Sequence, residues 1–444
     1  MSTSFTTAVP AAERVIAPQK PVTLEDTGLS ADNISALLLK TLFAGESRGT
    51  ALAAAVKLPY GILEPILAQL RQEQLVEVKS ASGVGTAGYT YALTDLGRDR
   101  TRRYLDACGY IGPAPVPISQ YLPYMSALSS YRPPIDKDRV ASAFAHLIIE
   151  PDMLDQLGPA ISSGRAVFLY GAPGNGKSVM GQGIGQAIGG DIYIPYALDV
   201  DGQIVSVYDP VTHEIREQEQ DSILRSEDDA DERWVRIRRP VITVGGELTL
   251  DMLDLRFNEL SAFYEAPIQL KANGGVLVVD DFGRQRVPAR DLLNRWVVPL
   301  ESRIDYLSLH TGRKFQVPFD VMVVFATNLE PASLADEAFL RRIPYKILAK
   351  NPTYEQYCRI FELNCRRYGV PFDRAFVQYL HDRYYGPKNL QRRGCHPRDL
   401  IDQVMILCRY QKLPLGITPD LLDTVCSTYF IEDTQGGPTS ASAR

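Results

Sequence analysis

The segment GAPGNGKS, Gly171 to Ser178, constrains this chain more than any other. It follows an apolar run suited to a strand, Val167 to Tyr170, and precedes a helix-compatible stretch, VMGQGIGQAI. The pattern G-x-x-x-x-G-K-[ST] between a strand and a helix is that of a loop that cradles phosphates. Gly171, Gly174 and Gly176 let the backbone wrap closely, with Ala172, Pro173 and Asn175 completing the loop. The backbone N–H groups then point inward at the start of a helix whose dipole favours anions. Lys177 is placed to reach the β- and γ-phosphates and Ser178 to ligate Mg2+, so the expected ligands are ATP and Mg2+.

A chain of 444 residues exceeds one compact core and suggests two or three folded units. Hydrophobic residues at 45% and charged residues at 23% describe an ordinary globular protein. No apolar run approaches the roughly 20 residues needed to span a bilayer. The start, MSTSFTTAVPAAERV, lacks a basic segment followed by an apolar one, so the expectation is a cytoplasmic protein without membrane insertion. The six cysteines form no CxxC pair and read as small buried hydrophobes. The five histidines show no ligand spacing and read as ordinary surface or loop residues. A net charge of −6 argues against a protein that coats nucleic acid over its whole surface.

Composition divides the chain. Residues 1–28 and 433–444 are small, polar and aperiodic, and are expected to be disordered. Residues 29–104 read as helices Ile34 to Phe43, Gly49 to Val56 and Tyr60 to Gln72, then a hairpin joining Leu75 to Lys79 with Tyr89 to Leu93. This order resembles a winged helix-turn-helix, with Tyr60 to Gln72 as the recognition helix. Residues 105–139 are Pro-rich and suit an extended linker. Residues 140–350 alternate apolar β-rich runs (VFLY, DIYIPYAL, VLVVDD, VMVVFATN) with helical patterns. The expected fold class is therefore α/β, a parallel sheet covered on both faces. Residues 351–432 are purely helical in pattern and suggest a lid.

The run GGVLVVDD, Gly274 to Asp281, is an apolar strand ending in two carboxylates. Asp280, at the carboxyl edge of the sheet, is placed to hold Mg2+, and Asp281 to orient or deprotonate the attacking water. With these residues in sequence, the chain from about Leu147 to Phe430 resembles the AAA+ family of P-loop ATPases. The resemblance implies that Asn328, ending VMVVFATN, positions water near the γ-phosphate. It implies that Arg341 or Arg342, in DEAFLRRIPYKI, reaches a neighbouring subunit's nucleotide, and that Arg398, in GCHPRDLIDQV, contacts the nucleotide of its own subunit. Most members carry Glu where this chain has Asp281. The shorter side chain holds its carboxylate about 1.5 Å further from the water.

Two segments stand apart. Between Ala197 and an expected helix, Leu250 to Phe263, lie a hairpin-like run, QIVSVYDPVTHEIRE, and the acidic stretch Ser226 to Glu232. The resemblance implies that such an insertion faces a central channel. A second hairpin, Asp305 to Asp320, resembles the pre-sensor hairpin of the AAA+ branch that includes MoxR-like chaperones and DNA helicases. The expected function is an ATPase of a homo-oligomeric ring that remodels a macromolecule. Protein is favoured over DNA as the target, because residues 34–104 hold nine basic against six acidic residues and Tyr60 to Gln72 offers only Arg71. The alternatives are a DNA-directed ATPase or regulator that uses the winged helix, and a nucleotide-gated scaffold that hydrolyses slowly.

Overall fold

Residues 15–81, 85–131, 134–216 and 230–430 are described by a computed structural model. Five strands form its central sheet: β1 (Val167–Tyr170), β2 (Val241–Val244), β3 (Val276–Val279), β4 (Met322–Thr327) and β5 (Tyr345–Leu348). They lie in the order β5-β1-β4-β3-β2, and every neighbouring pair is parallel. The alternation of side chains along these strands builds two cores. Val167, Leu169, Val276, Val278, Met322 and Val324 face one layer, with Phe144, Leu157 and Ile184. Phe168, Leu277, Val279, Val323 and Phe325 face the other, with Trp296 and Phe282. Both faces are buried, which is why the strands read as continuous apolar runs. This is the α/β P-loop fold that the sequence implies.

The helix α1 (Lys177–Ile188) follows the phosphate loop and lies tight against the sheet. A Cβ at Gly185 would come within 2.1 Å of Val241, and one at Gly181 within 2.9 Å of Val278. Glycine at these two positions therefore sets how closely α1 approaches β2 and β3. After β5, helices Tyr354–Tyr368, Arg374–Leu380, His396–Gln411 and Pro419–Tyr429 pack around their own core, centred on Tyr357, Phe361, Leu400 and Val404. Ahead of the sheet, helices Ala31–Phe43, Gly49–Val56 and Tyr60–Gln72 precede strands Val76–Ala81 and Tyr89–Leu93, and helix Asp95–Ala107 follows them.

Several expectations fail, each for a local reason. The stretch expected as an extended linker, 105–139, contains a helix, Ile118–Ser130, that buries Tyr121, Tyr124, Met125 and Leu128 at helical spacing. Its prolines conceal that period: Pro117 is the N-cap and only Pro123 lies inside the helix. Within the segment expected to be disordered, 1–28, Gln19 bridges to Ala230, and Leu24–Thr27 forms a helical turn under a Thr23/Asp26 capping box. Residues 1–14 and the tail 433–444 fall outside the described residues, as do 217–229, which include most of the acidic stretch.

The run Asp191 to Ala197 is not a strand of the parallel sheet. Asp191–Pro195 pairs antiparallel with Trp234–Arg238, and the second sheet strand is β2. The expected hairpin starting at Gln203 is displaced: Gln203–Ser206 pairs back onto Ala197–Val200. The turn between them is Asp201-Gly202, both at positive φ (55° and 83°), the conformation that an Asp-Gly hairpin favours. The helix expected over Leu250 to Phe263 is instead a 3-10 turn, Leu250–Leu253, and two paired strands, Arg256–Asn258 and Phe263–Glu265. These strands, with Val116–Pro117 from the supposed linker, complete a second five-stranded sheet.

One buried ion pair holds three distant segments together. Arg233, 1% exposed, binds Asp231 through Nε and Nη2 at 2.7–3.1 Å. Its remaining N–H groups donate to the carbonyl of Thr27 (2.8 Å) and the side chain of Gln120 (3.0 Å). Backbone bonds reinforce the docking, from Gly109 N–H to Ser261 O and from Ala114 N–H to Val56 O, both at 2.7 Å. Arg233→Ala would strand the Asp231 carboxylate in the interior, and chemical denaturation should show a loss of about 3 to 5 kcal/mol. A loss below about 1 kcal/mol would mean that water reaches Asp231.

Candidate functional site

The site forms at the carboxyl ends of β1, β3 and β4, where an open parallel sheet binds ligands. The loop from Gly171 to Gly176 leaves β1 with positive φ at Gly171 (133°), Gly174 (80°) and Gly176 (77°), the backbone that its glycines permit. It ends at the N-terminus of α1. The cavity there has a volume of about 1250 Å3, and its wall includes Lys177, Ser178, Asp280, Asp281, Asn328 and Arg398. Pro173, Gly174, Asn175 and Gly176 line it as well.

Lys177 is 6% exposed, and its ammonium donates to the carbonyls of Gly171 (2.9 Å) and Ala172 (3.0 Å) and to Asn328 Oδ1 (2.6 Å). Asn328 in turn donates through Nδ2 to Asp281 Oδ1 at 3.0 Å. A lysine on α1, an amide at the end of β4 and a carboxylate beyond β3 thus form one continuous chain. Burial lowers the Lys177 pKa, against the opposing fields of Asp281 and Asp280. The turn that carries the carboxylates is clipped to β4: Phe282 N–H donates to Ala326 O (2.8 Å), and Thr327 Oγ1 to Phe282 O (2.7 Å).

Asp281 occupies left-handed backbone at φ 48°, with its N–H on Asp280 Oδ1 at 2.9 Å. Asp and Asn tolerate this region better than longer side chains, because their short polar groups bond locally. The backbone therefore gives a physical reason for Asp at this position. Among the described residues no three His, Cys, Asp or Glu side chains form a metal cluster. A divalent cation here would draw on Ser178, Asp280 and phosphate oxygens, the hard-oxygen set that suits Mg2+.

The three candidate arginines differ. Arg398 lines the cavity and pairs with Asp399 at 2.8 Å. Arg342 is held by Glu301 (2.9 Å) and by the carbonyl of Ala338 (2.8 Å). Arg341 is exposed outside the cavity, and its guanidinium makes no hydrogen bond or ion pair among the described residues. Sequence reasoning missed Arg284, which lines the cavity in the turn after Asp281, and Asn351, which joins β5 to the lid. The one signal for Arg284 is its place just after the acidic pair, and Asn351 carries none. Two histidines have more specific surroundings than the surface or loop reading implies, although His213 does lie in a loop. His213 is 3% exposed, accepts at Nδ1 from Asp209 N–H and donates from Nε2 to Lys271 O. His396 stacks on Tyr385, and burial pushes its pKa down to about 4, helped by Arg393.

Comparison with known proteins gives a family match over the lid alone. The model of a domain of unknown function, DUF8689, matches residues 353–428. No curated protein matches. Similar solved structures include the RuvB Holliday junction branch migration motor of Thermotoga maritima, 14% identical, covering 67% of this chain and 72% of that one at a TM-score of 0.35. NtrX from Brucella abortus is 14% identical, covering 66% of this chain and 58% of that one at a TM-score of 0.39. The same protein in complex with ATP covers 61% and 54%, at 14% identity and a TM-score of 0.38. Likeness at this level adds nothing to what the sheet order defines.

Asn fits the backbone of position 281 as well as Asp does but carries no charge. Asp281→Asn should leave ATP affinity within a few-fold and lower turnover by about 100-fold or more, read by phosphate release. Turnover within tenfold of wild type would remove Asp281 from the chemistry.

Proposed function

We propose that the protein is an AAA+ ATPase that binds Mg-ATP in the cavity at the end of β1 and hydrolyses it. The observation that carries this reading is the chain Lys177–Asn328–Asp281 at the phosphate loop. Lys177 and the loop N–H groups take the β- and γ-phosphates. Asn328 and Asp281 hold the water on the far side of the γ-phosphate, where the carboxylate accepts its proton. Ser178 and Asp280 would hold Mg2+, which when bound would supply charge neutralisation to the phosphates. Arg398, on the lid, reaches the same nucleotide.

The unit of action is a homo-oligomeric ring, with Arg341 as the residue that enters a neighbour's site. Arg342 is already committed to Glu301, whereas the Arg341 side chain is exposed and without a partner among the described residues. The target is a protein, approached through residues 29–104, which we read as a winged-helix-like unit. Its helix Tyr60–Gln72 turns Glu64, Gln69 and Arg71 outward, and the loop residue Thr86 hydrogen-bonds Glu64. Arg100 and Arg102 lie beside Glu73 and Asp99. Arg48, Arg71, Arg98 and Arg103 are exposed without an ion pair among the described residues, a modest charge to set against phosphates.

Lys177→Ala should weaken ATP binding by about 10- to 100-fold in calorimetry, and unchanged affinity would refute the site. Mixing Lys177→Ala with Arg341→Ala subunits should restore part of the hydrolysis that each lacks, because shared interfaces regain one intact loop and one intact arginine. No recovery in co-assembled mixtures would refute a role in trans.

The full chain should bind duplex DNA no more tightly than about 1 to 100 μM at physiological salt, by fluorescence titration. Sequence-dependent nanomolar binding would make it a DNA-directed ATPase.

A further inference from the structure

The phosphate loop and the lid are joined by one side chain that the nucleotide reading does not use. Asn175 is 8% exposed, and each of its polar atoms is occupied. Its Nδ2 donates to the carbonyl of Ala349 (3.1 Å) and to Asn351 Oδ1 (2.9 Å). Its Oδ1 accepts from Gly394 N–H at 3.2 Å. A backbone N–H can only donate, so Gly394 fixes which way the amide points. Ala349 and Asn351 belong to the segment by which the chain leaves β5 for the lid, whose first helix is capped by Thr353. Gly394 belongs to the lid loop before helix His396–Gln411. One residue therefore grips the hinge and the lid together.

The surroundings fit the same purpose. Cys395 N–H donates to Gly174 O at 2.8 Å, so a second bond ties the lid loop to the phosphate loop. A Cβ at Gly174 would lie 2.4 Å from Cys395 Sγ, and glycine there permits the close approach. Arg393 donates through Nη1 to Asn351 Oδ1, the atom that also receives Asn175. The lid loop is thus held between Asn351 on one side and Gly174 and Asn175 on the other, with Arg398 one turn further along.

We propose that Asn175 is a positioning residue that fixes the helical lid to the phosphate loop and so sets where the lid arginine that lines the cavity, Arg398, stands. The second clause rests on the nucleotide reading above; the first does not. Because the loop that holds phosphate is the loop that holds the lid, nucleotide binding and lid posture share one equilibrium, coupled in both directions.

The test uses the full chain. Without nucleotide, hydrogen exchange at the Gly394 and Cys395 amides should rise about tenfold in Asn175→Ala, while amides in the middle of helix His396–Gln411 keep the wild-type rate. Asn175→Asp retains the acceptor for Gly394 but loses both donors. It should free the hinge and leave Gly394 more protected than in Asn175→Ala, which also guards against a general loss of folding. Unchanged exchange in both variants would overturn the proposal.

With ATP, the loss of affinity caused by Arg398→Ala should shrink at least threefold in the Asn175→Ala background, and an undiminished loss would overturn the positioning of Arg398. A wild-type chain that binds no ATP would defeat the nucleotide reading alone, since the exchange measurement decides the lid contact without ligand.

Discussion

The register of one parallel sheet governs the rest of the molecule. Pairing of Phe325 with Phe168 and with Val279 brings the ends of β1, β3 and β4 level. The glycine-rich loop, the carboxylates and Asn328 emerge there, with Lys177, Asn328 and Asp281 in hydrogen-bonding reach of one another. A one-residue slip of β4 would turn Phe325 and Val323 out of one core and into the other, and would carry Asn328 away from Lys177. The aromatic packing of Phe168, Phe282, Phe325 and Trp296 beneath the sheet opposes such a slip. Packing that lies out of sight of the cavity thereby sets the geometry inside it.

Around that sheet the chain is less modular than its composition suggests. The segments between α1 and β3 that flank β2 fold as β-rich structure outside the central sheet, and they collect strand Val116–Pro117, Thr27 and Gln120 from regions far back in sequence. The hairpin of Ile304–Ser308 and Lys314–Pro318 leans on the same β-rich structure, with His310 packed against Phe257 and Tyr264. The N-terminal helices are therefore tied to the sheet-bearing core by backbone hydrogen bonds and the contacts of a buried ion pair. A swinging linker is not the connection between them.

What was legible in the sequence follows from how local each signal is. The phosphate loop and the acidic pair are short runs whose chemistry is written in adjacent residues, and strands β1, β3 and β4 announce themselves as apolar runs buried on both faces. The lid helices show their period plainly. The insertion was misread because its strands are short and pair with distant partners. Asp191–Pro195 and β2 are equally apolar, and only tertiary pairing decides which one enters the sheet. The Asp201-Gly202 turn is a local signal present in the sequence. Arg233 and Asn351 could not be found at all, and Asn175 was legible only as a member of the phosphate loop, since what these side chains grip is brought near by folding.

The left-handed backbone at Asp281 has a consequence for how this site can change. The residues that suit φ 48° are Gly, Asn and Asp, and of these only Asp carries a carboxylate. A mutation toward Gly or Asn would relax or preserve the backbone while removing the charge. A mutation toward Glu would keep the charge while straining the backbone. The substitutions that this backbone accepts most readily are thus the ones that lose the charge, so backbone tolerance alone does not preserve the acidic pair.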